Sequence, residues 1–198
     1  MAITTIEHEP PYQVGYFVGS LSSQSINRQL ANALIGLAPP ELEFSEILIR
    51  DLPLYNRDFD PDYPQVARDF KASIAGCDAL LFVTPEYNRS LPGALKNAID
   101  WASRPYGENV ISRKASAVIG ASSGAIGTAL AQQSLRGILS FCNAPQMTSP
   151  EANIQVSPGL ISPEGEVTNE GTREFLASYM QQFHEFIARV LTVLPPHA

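Results

Sequence analysis

Apolar residues follow two rhythms along this chain. Short unbroken runs rich in strand formers occur at Val14–Gly19, Leu80–Thr84 and Ala115–Gly120. Such runs predict strands buried on both faces. Glu43–Ile49 alternates only in part, which predicts a strand nearer the sheet edge. A further short strand is expected at Pro145–Met147.

Between the runs the spacing turns helical. Ser25–Leu37 puts Ile26, Leu30, Ala33, Leu34 and Leu37 on one face. Pro64–Ala75 is opened by proline, carries a Val66, Phe70, Ile74 stripe and stops at Gly76. Leu95–Trp101 belongs to a helix, and Thr128–Phe141 predicts another. Thr172–Leu194 is amphipathic, with Phe175, Leu176, Tyr179, Phe183, Phe186, Ile187, Val190 and Leu194 on its apolar side. Asp51–Pro61 and Glu151–Gly171 have no period and read as loops, the second with room for a small hairpin.

Strands alternating with helices imply an α/β fold, a parallel sheet with helices on both faces. The chain of 198 residues suits one domain. Its expected span is 12–194, with a flexible tail over 1–11 and a short one over 195–198. In such sheets ligands bind beyond the carboxyl ends of the strands, where strand order reverses.

Charge narrows the partners. A net charge of -7 argues against non-specific nucleic-acid or anionic-membrane binding. No apolar run is long enough to span a bilayer, and the first residues lack a signal-peptide pattern, so no membrane insertion and a cytoplasmic location are expected. Cys77 and Cys142 are far apart in sequence and fit no metal or redox spacing. No metal site is expected.

Three strand-to-helix loops fall on the carboxyl edge: GSLSSQSIN from Gly19, TPEYNRSLPG from Thr84 and ASSGAIG from Ala121. In the first, Ser20, Ser22 and Ser25 surround a turn and Asn27 begins the helix. Backbone N–H groups and hydroxyls at a helix start can hold a phosphate without lysine; an ordinary serine N-cap explains the same residues equally well. In the second, Pro85 stiffens the strand exit, and Glu86, Tyr87 and Asn88 can face the edge of a flat polar ring. In the third, Ser122 and Gly124 allow close backbone approach to a ligand. Each of the latter two alone reads as a plain turn. Their coincidence on one edge carries the site. The GxGxxG and GxxxxGK[ST] patterns are absent, which lowers the odds of a nicotinamide-type dinucleotide fold or an NTPase.

VGSLSSQSINRQLANAL, DLPLYNRDFD, FVTPEYNRSLPGALKNAIDWASRP and VIGASSGAIGT resemble the NADPH-dependent FMN reductases, in particular the branch of quinone and chromate reductases. The resemblance runs from Val14 to about Val193, and PEYNRSLPGALKNAIDW is its specific part. It implies a flavodoxin-like three-layer sandwich, a five-stranded parallel sheet of order 2-1-3-4-5, with FMN bound non-covalently. By position it implies Ser20, Ser25 and Asn27 at the phosphate, Pro85, Glu86, Tyr87 and Asn88 along the isoalloxazine ring, and Ser122 and Gly124 on the far side. Where the family has an arginine, two residues after the serine matching Ser20, this chain has Ser22. The resemblance therefore implies a phosphate site short of one cation, with Ser22 in its place.

The implied activity is an oxidoreductase that passes two electrons from NADPH or NADH to a small acceptor by ping-pong hydride transfer through FMN. Quinone, flavin, azo compound and metal oxyanion all fit an open flavin face. The flavin carries the chemistry, so no protein residue is assigned a catalytic acid–base role. A flavodoxin-type electron carrier without NAD(P)H reductase activity is the alternative. The resemblance also implies a homodimer or homotetramer, with the helix around Arg136 and the segment at Glu151 as candidates to complete a neighbour's site.

Overall fold

The computed structural model describes residues 9–194. Its elements are β1 (Tyr12–Val18), α1 (Ile26–Gly36), β2 (Leu42–Glu46), α2 (Gln65–Ala75), β3 (Ala79–Val83), α3 (Gly93–Ser103), β4 (Ala115–Ser122), α4 (Ala129–Phe141), β5 (Asn153–Gln155) and α5 (Glu170–Val193). The strands form one parallel sheet in the order β2-β1-β3-β4-β5, the expected order. The expected tails lie largely outside the described residues, and β1 starts at Tyr12, two residues before the run that predicted it.

Period-two alternation sorts the strands onto two cores. Val14, Val18, Leu81, Val83, Ala117 and Ile119 face α1 and α5. Phe17, Leu80, Phe82 and Val118 face α2, α3 and α4. Every residue of β3 is buried, as a central parallel strand requires. On α5 the buried stripe includes Met180 and Leu191, while Phe175 lies at its margin, 36% exposed. Tyr179 of this helix reaches the sheet, its Oη donating to the Val118 carbonyl at 3.0 Å.

Two expectations need correction. Pro145–Met147 is not a strand: it contributes one bridge, Ser116 to Gln146, held by Ser116 N to Pro145 O at 2.8 Å and Met147 N to Ser116 O at 2.9 Å. The fifth strand is Asn153–Gln155, inside the segment read as a surface loop. Its signal is a short alternation: Ala152 and Ile154 are buried and Val156 half-buried, with Asn153 and Gln155 exposed between them. The hairpin in that segment does exist, as a bridge between Ile161 and Val167.

The loop after β2 is pinned rather than free. Trp101 Nε1 and Asn97 Nδ2 of α3 both donate to the Pro53 carbonyl, at 2.7 and 2.9 Å. Tyr55 and Tyr63 meet the Trp101 ring edge-on and Phe59 meets it tilted. Leu95, Ile99 and Trp101 are fully buried, so α3 anchors both this loop and the one that precedes it.

Candidate active site

The exits of β1, β3 and β4 meet at the carboxyl edge, as the topology demands. Gly19 N donates to Val83 O at 2.9 Å, pressing the first two exits together. A Cβ at Gly19 would sit 3.2 Å from both Pro85 and Leu95, so this crossing is tight already with hydrogen there.

In the β1–α1 loop every predicted serine accepts a backbone hydrogen bond. Ser25 caps α1, its Oγ accepting from Arg28 N at 3.2 Å. Ser22 Oγ accepts from Gln24 N at 3.2 Å, and Ser20 Oγ from Ser22 N at 3.4 Å. Ser122 Oγ repeats the motif in the β4–α4 loop, accepting from Gly124 N at 3.1 Å. A hydroxyl that accepts from its own backbone keeps its O–H to donate. The set is therefore rich in donors, at the start of a helix whose N–H groups also point outward, and its chemistry fits an anion. The N-cap and anion-site readings of these serines coexist.

Asn27 plays another part. It is 1% exposed, and its amide pairs with both main-chain groups of Ala121 at 2.9 Å, Nδ2 donating to the carbonyl and Oδ1 accepting from the N–H. Ile119 O accepts from Thr84 N, so Ala121, two residues on, also turns its main chain toward β3. By then β3 has left at Pro85, and the side-chain amide of Asn27 takes the vacated ladder position. The Asn27 head group thereby welds the first loop to the third, with Oδ1 and one Nδ2 hydrogen spent on Ala121.

Glu86 makes the second weld. Its Oε2 accepts from Leu130 N at 3.0 Å and Ala131 N at 3.2 Å, capping α4 from the β3–α3 loop. Thr128, at the N-cap position, makes no side-chain cap bond. A carboxylate at a helix N-terminus also meets the positive end of the dipole. Its side chain is 10% exposed, so Glu86 presents backbone rather than carboxylate to the edge. Glu86→Ala is expected to cost about 1–2 kcal/mol in urea unfolding, with Glu86→Gln, which keeps one acceptor, losing less.

The rest of PEYN is a tight hairpin. Tyr87 and Ser90 exchange two backbone bonds of 3.0 Å, and Asn88 and Arg89 between them have φ of 51° and 65°. Two successive left-handed residues make the turn favoured in two-residue hairpins. Pro85 is buried beneath, while Asn88 and Arg89 are exposed on top. Tyr87 is 50% exposed, with its Oη 3.5 Å from Ser20 Oγ, at the limit of a hydrogen bond. Arg89 faces solvent and pairs with Glu86 at 3.4 Å. Gly124 is exposed at the rim of the third loop.

Other features fall outside this edge. Arg136 donates Nη1 to Met147 O at 3.0 Å. A cavity of about 710 Å³ opens at the amino-terminal edge, beside Lys71, Asp78, Tyr106 and Lys114. Both lysines there already donate to main-chain carbonyls, Lys71 to Arg104 and Glu108, Lys114 to Ala75 and Cys77. Burial lowers the pKa of each. Cys77 and Cys142 are free thiols, and burial raises the pKa of both, which makes them poor nucleophiles. No helix among the described residues is long and apolar enough to cross a membrane.

Known proteins resemble this chain. Residues 12–158 match the family model described as NADPH-dependent FMN reductase. A 2-hydroxy-1,4-benzoquinone reductase of a Burkholderia species is 47% identical over 175 residues, covering 88% of this chain and 96% of the relative. A quinone reductase of Pseudomonas putida is 44% identical over 177 residues, covering 89% and 95%. Among solved structures, FerB, a flavoenzyme NAD(P)H:(acceptor) oxidoreductase from Paracoccus denitrificans, superposes with a TM-score of 0.86 at 44% identity, covering 90% of this chain and 98% of that one. Sheet order, the matching family model and relatives alike over nearly their whole length agree: the chain belongs to the family of NADPH-dependent FMN reductases.

Proposed function

We propose that FMN lies across the carboxyl edge, phosphate in the β1–α1 loop and ring along Pro85–Asn88, and that the protein is an NAD(P)H-dependent quinone reductase. The observation that carries this reading is the double weld. Asn27 fixes the first loop to the third and Glu86 fixes the second to the third, so the three loops form one rigid cradle. Bound there, FMN supplies the two-electron exchange between NAD(P)H and an acceptor.

The protein's part is placement. Ser20, Ser22 and Ser25 turn hydroxyl donors to the phosphate, and Ser122 and Gly124 close the far side. The half-exposed Tyr87 ring packs against the flat cofactor. No closure is needed, because each loop is already held by hydrogen bonds to another.

Quinones suit the surroundings best. Leu54, Tyr87 and Ile126, in the loops at this edge, are 83%, 50% and 50% exposed. An apolar rim favours a planar uncharged acceptor. Two relatives are named for quinone reduction. The protein works on small molecules as a homodimer or homotetramer in the cytoplasm.

Steady-state kinetics test this reading. With benzoquinone and NADPH both varied, parallel double-reciprocal lines are expected, the mark of a ping-pong cycle. NADPH oxidation that needs an added protein partner would overturn it in favour of the electron carrier.

A further inference from the structure

We propose that Arg50, from the connection after β2, supplies the cation that the phosphate loop lacks at Ser22. The inference rests on the FMN reading above. From Gly19 to Asn27 the loop contains no lysine or arginine. Its donors are hydroxyls and backbone N–H groups, all neutral. A phosphate monoester carries between one and two negative charges near neutral pH, and this protein is acidic overall. Neutral donors and the α1 dipole offset that charge only in part.

Two arginines flanking the loops at this edge are engaged. Arg28 is closed on Glu46 by two bonds of 2.6 Å, one to each carboxylate oxygen. Arg89 is paired with Glu86. Arg50 has no carboxylate within ion-pair distance among the described residues. Its Nη2 donates to Leu21 O at 2.7 Å. Leu21 lies between Ser20 and Ser22, so the guanidinium rests on the loop that holds the phosphate.

One bond to Leu21 uses one of five guanidinium N–H donors. The remainder can form charge-assisted bonds to phosphate oxygens, for which the planar fork is well shaped. Arg50 is exposed. It therefore carries no desolvation cost before the ligand arrives. The charge reaches the loop from a neighbouring connection rather than from within it.

A role confined to bracing Leu21 would affect every flavin alike; a phosphate contact would not. Riboflavin has the ring of FMN without the phosphate, so it separates the two. The experiment titrates full-length protein, freed of flavin, with FMN and with riboflavin, following flavin fluorescence for wild type and Arg50→Ala. Arg50→Ala is expected to weaken FMN about 10- to 100-fold, the worth of a charge-assisted bond. Riboflavin affinity should stay within about twofold, and the salt dependence of FMN binding should flatten. Equal weakening of both ligands, or no change in either, would overturn the assignment while leaving the flavin site intact. Wild type that binds FMN no tighter than riboflavin would remove the phosphate site itself, and the reading beneath it.

Discussion

Asn27→Ala lowers the stability of the protein by about 3 kcal/mol and abolishes tight FMN binding. Both main-chain groups of Ala121 are buried and depend on this amide. Leaving a buried donor and a buried acceptor unpaired costs about 1–3 kcal/mol each. Asn27→Asp is no remedy, because a carboxylate cannot donate to the Ala121 carbonyl and would carry a charge into the core. Urea unfolding should show a lower midpoint at unchanged slope. Fluorescence titration should show FMN binding lost in parallel, since the first and third loops would no longer be held in register. A variant that unfolds like wild type would mean that β4 does not need the side-chain amide to complete its ladder.

Gly120→Ala has an effect of similar or greater size for a different reason. The added methyl would lie 2.1 Å from Thr84 O and 2.2 Å from Thr128 Oγ1. Thr128 could be trimmed, but Thr84 O belongs to the main chain at the end of β3. Overpacking of this kind costs about 1–3 kcal/mol and more where backbone must shift, so a loss of about 3 kcal/mol or failure to fold is expected. Adding Thr128→Gly should recover only part of it. Full rescue by the double variant would show that the side chain, not the carbonyl, sets the limit. The glycine is what lets β3, β4 and the start of α4 converge beneath the site.

The sheet was legible because its strands are short apolar runs between helical stripes, and parallel order follows from that alternation. The three loops were legible by the same logic. Asn27, Glu86 and Arg50 were harder, since each acts on a partner distant in sequence. Glu86 caps α4 at Leu130 and Ala131, and no local spacing reveals a cap supplied from another loop. Asn27 falls in the loop expected to hold a phosphate, yet the departure of β3 at Pro85 creates a vacancy that only tertiary structure defines. Strand β5 was missed because its paired stretch, Asn153–Gln155, is brief and embedded among Pro and Gly. Its alternation at Ala152, Ile154 and Val156 was present but short.

Flavin binding also tests the frame as a whole. FMN that binds only the folded state should raise the free energy of unfolding by about 2.7 kcal/mol at a hundredfold excess over Kd. The most direct measurement is the visible spectrum of the protein reconstituted with FMN, washed free of excess and then given NADPH without oxygen. A retained flavin band that bleaches on NADPH and returns with a quinone is the predicted result. No retained flavin, or a flavin that stays oxidised in NADPH, would contradict a reductase site built on the carboxyl edge of this sheet.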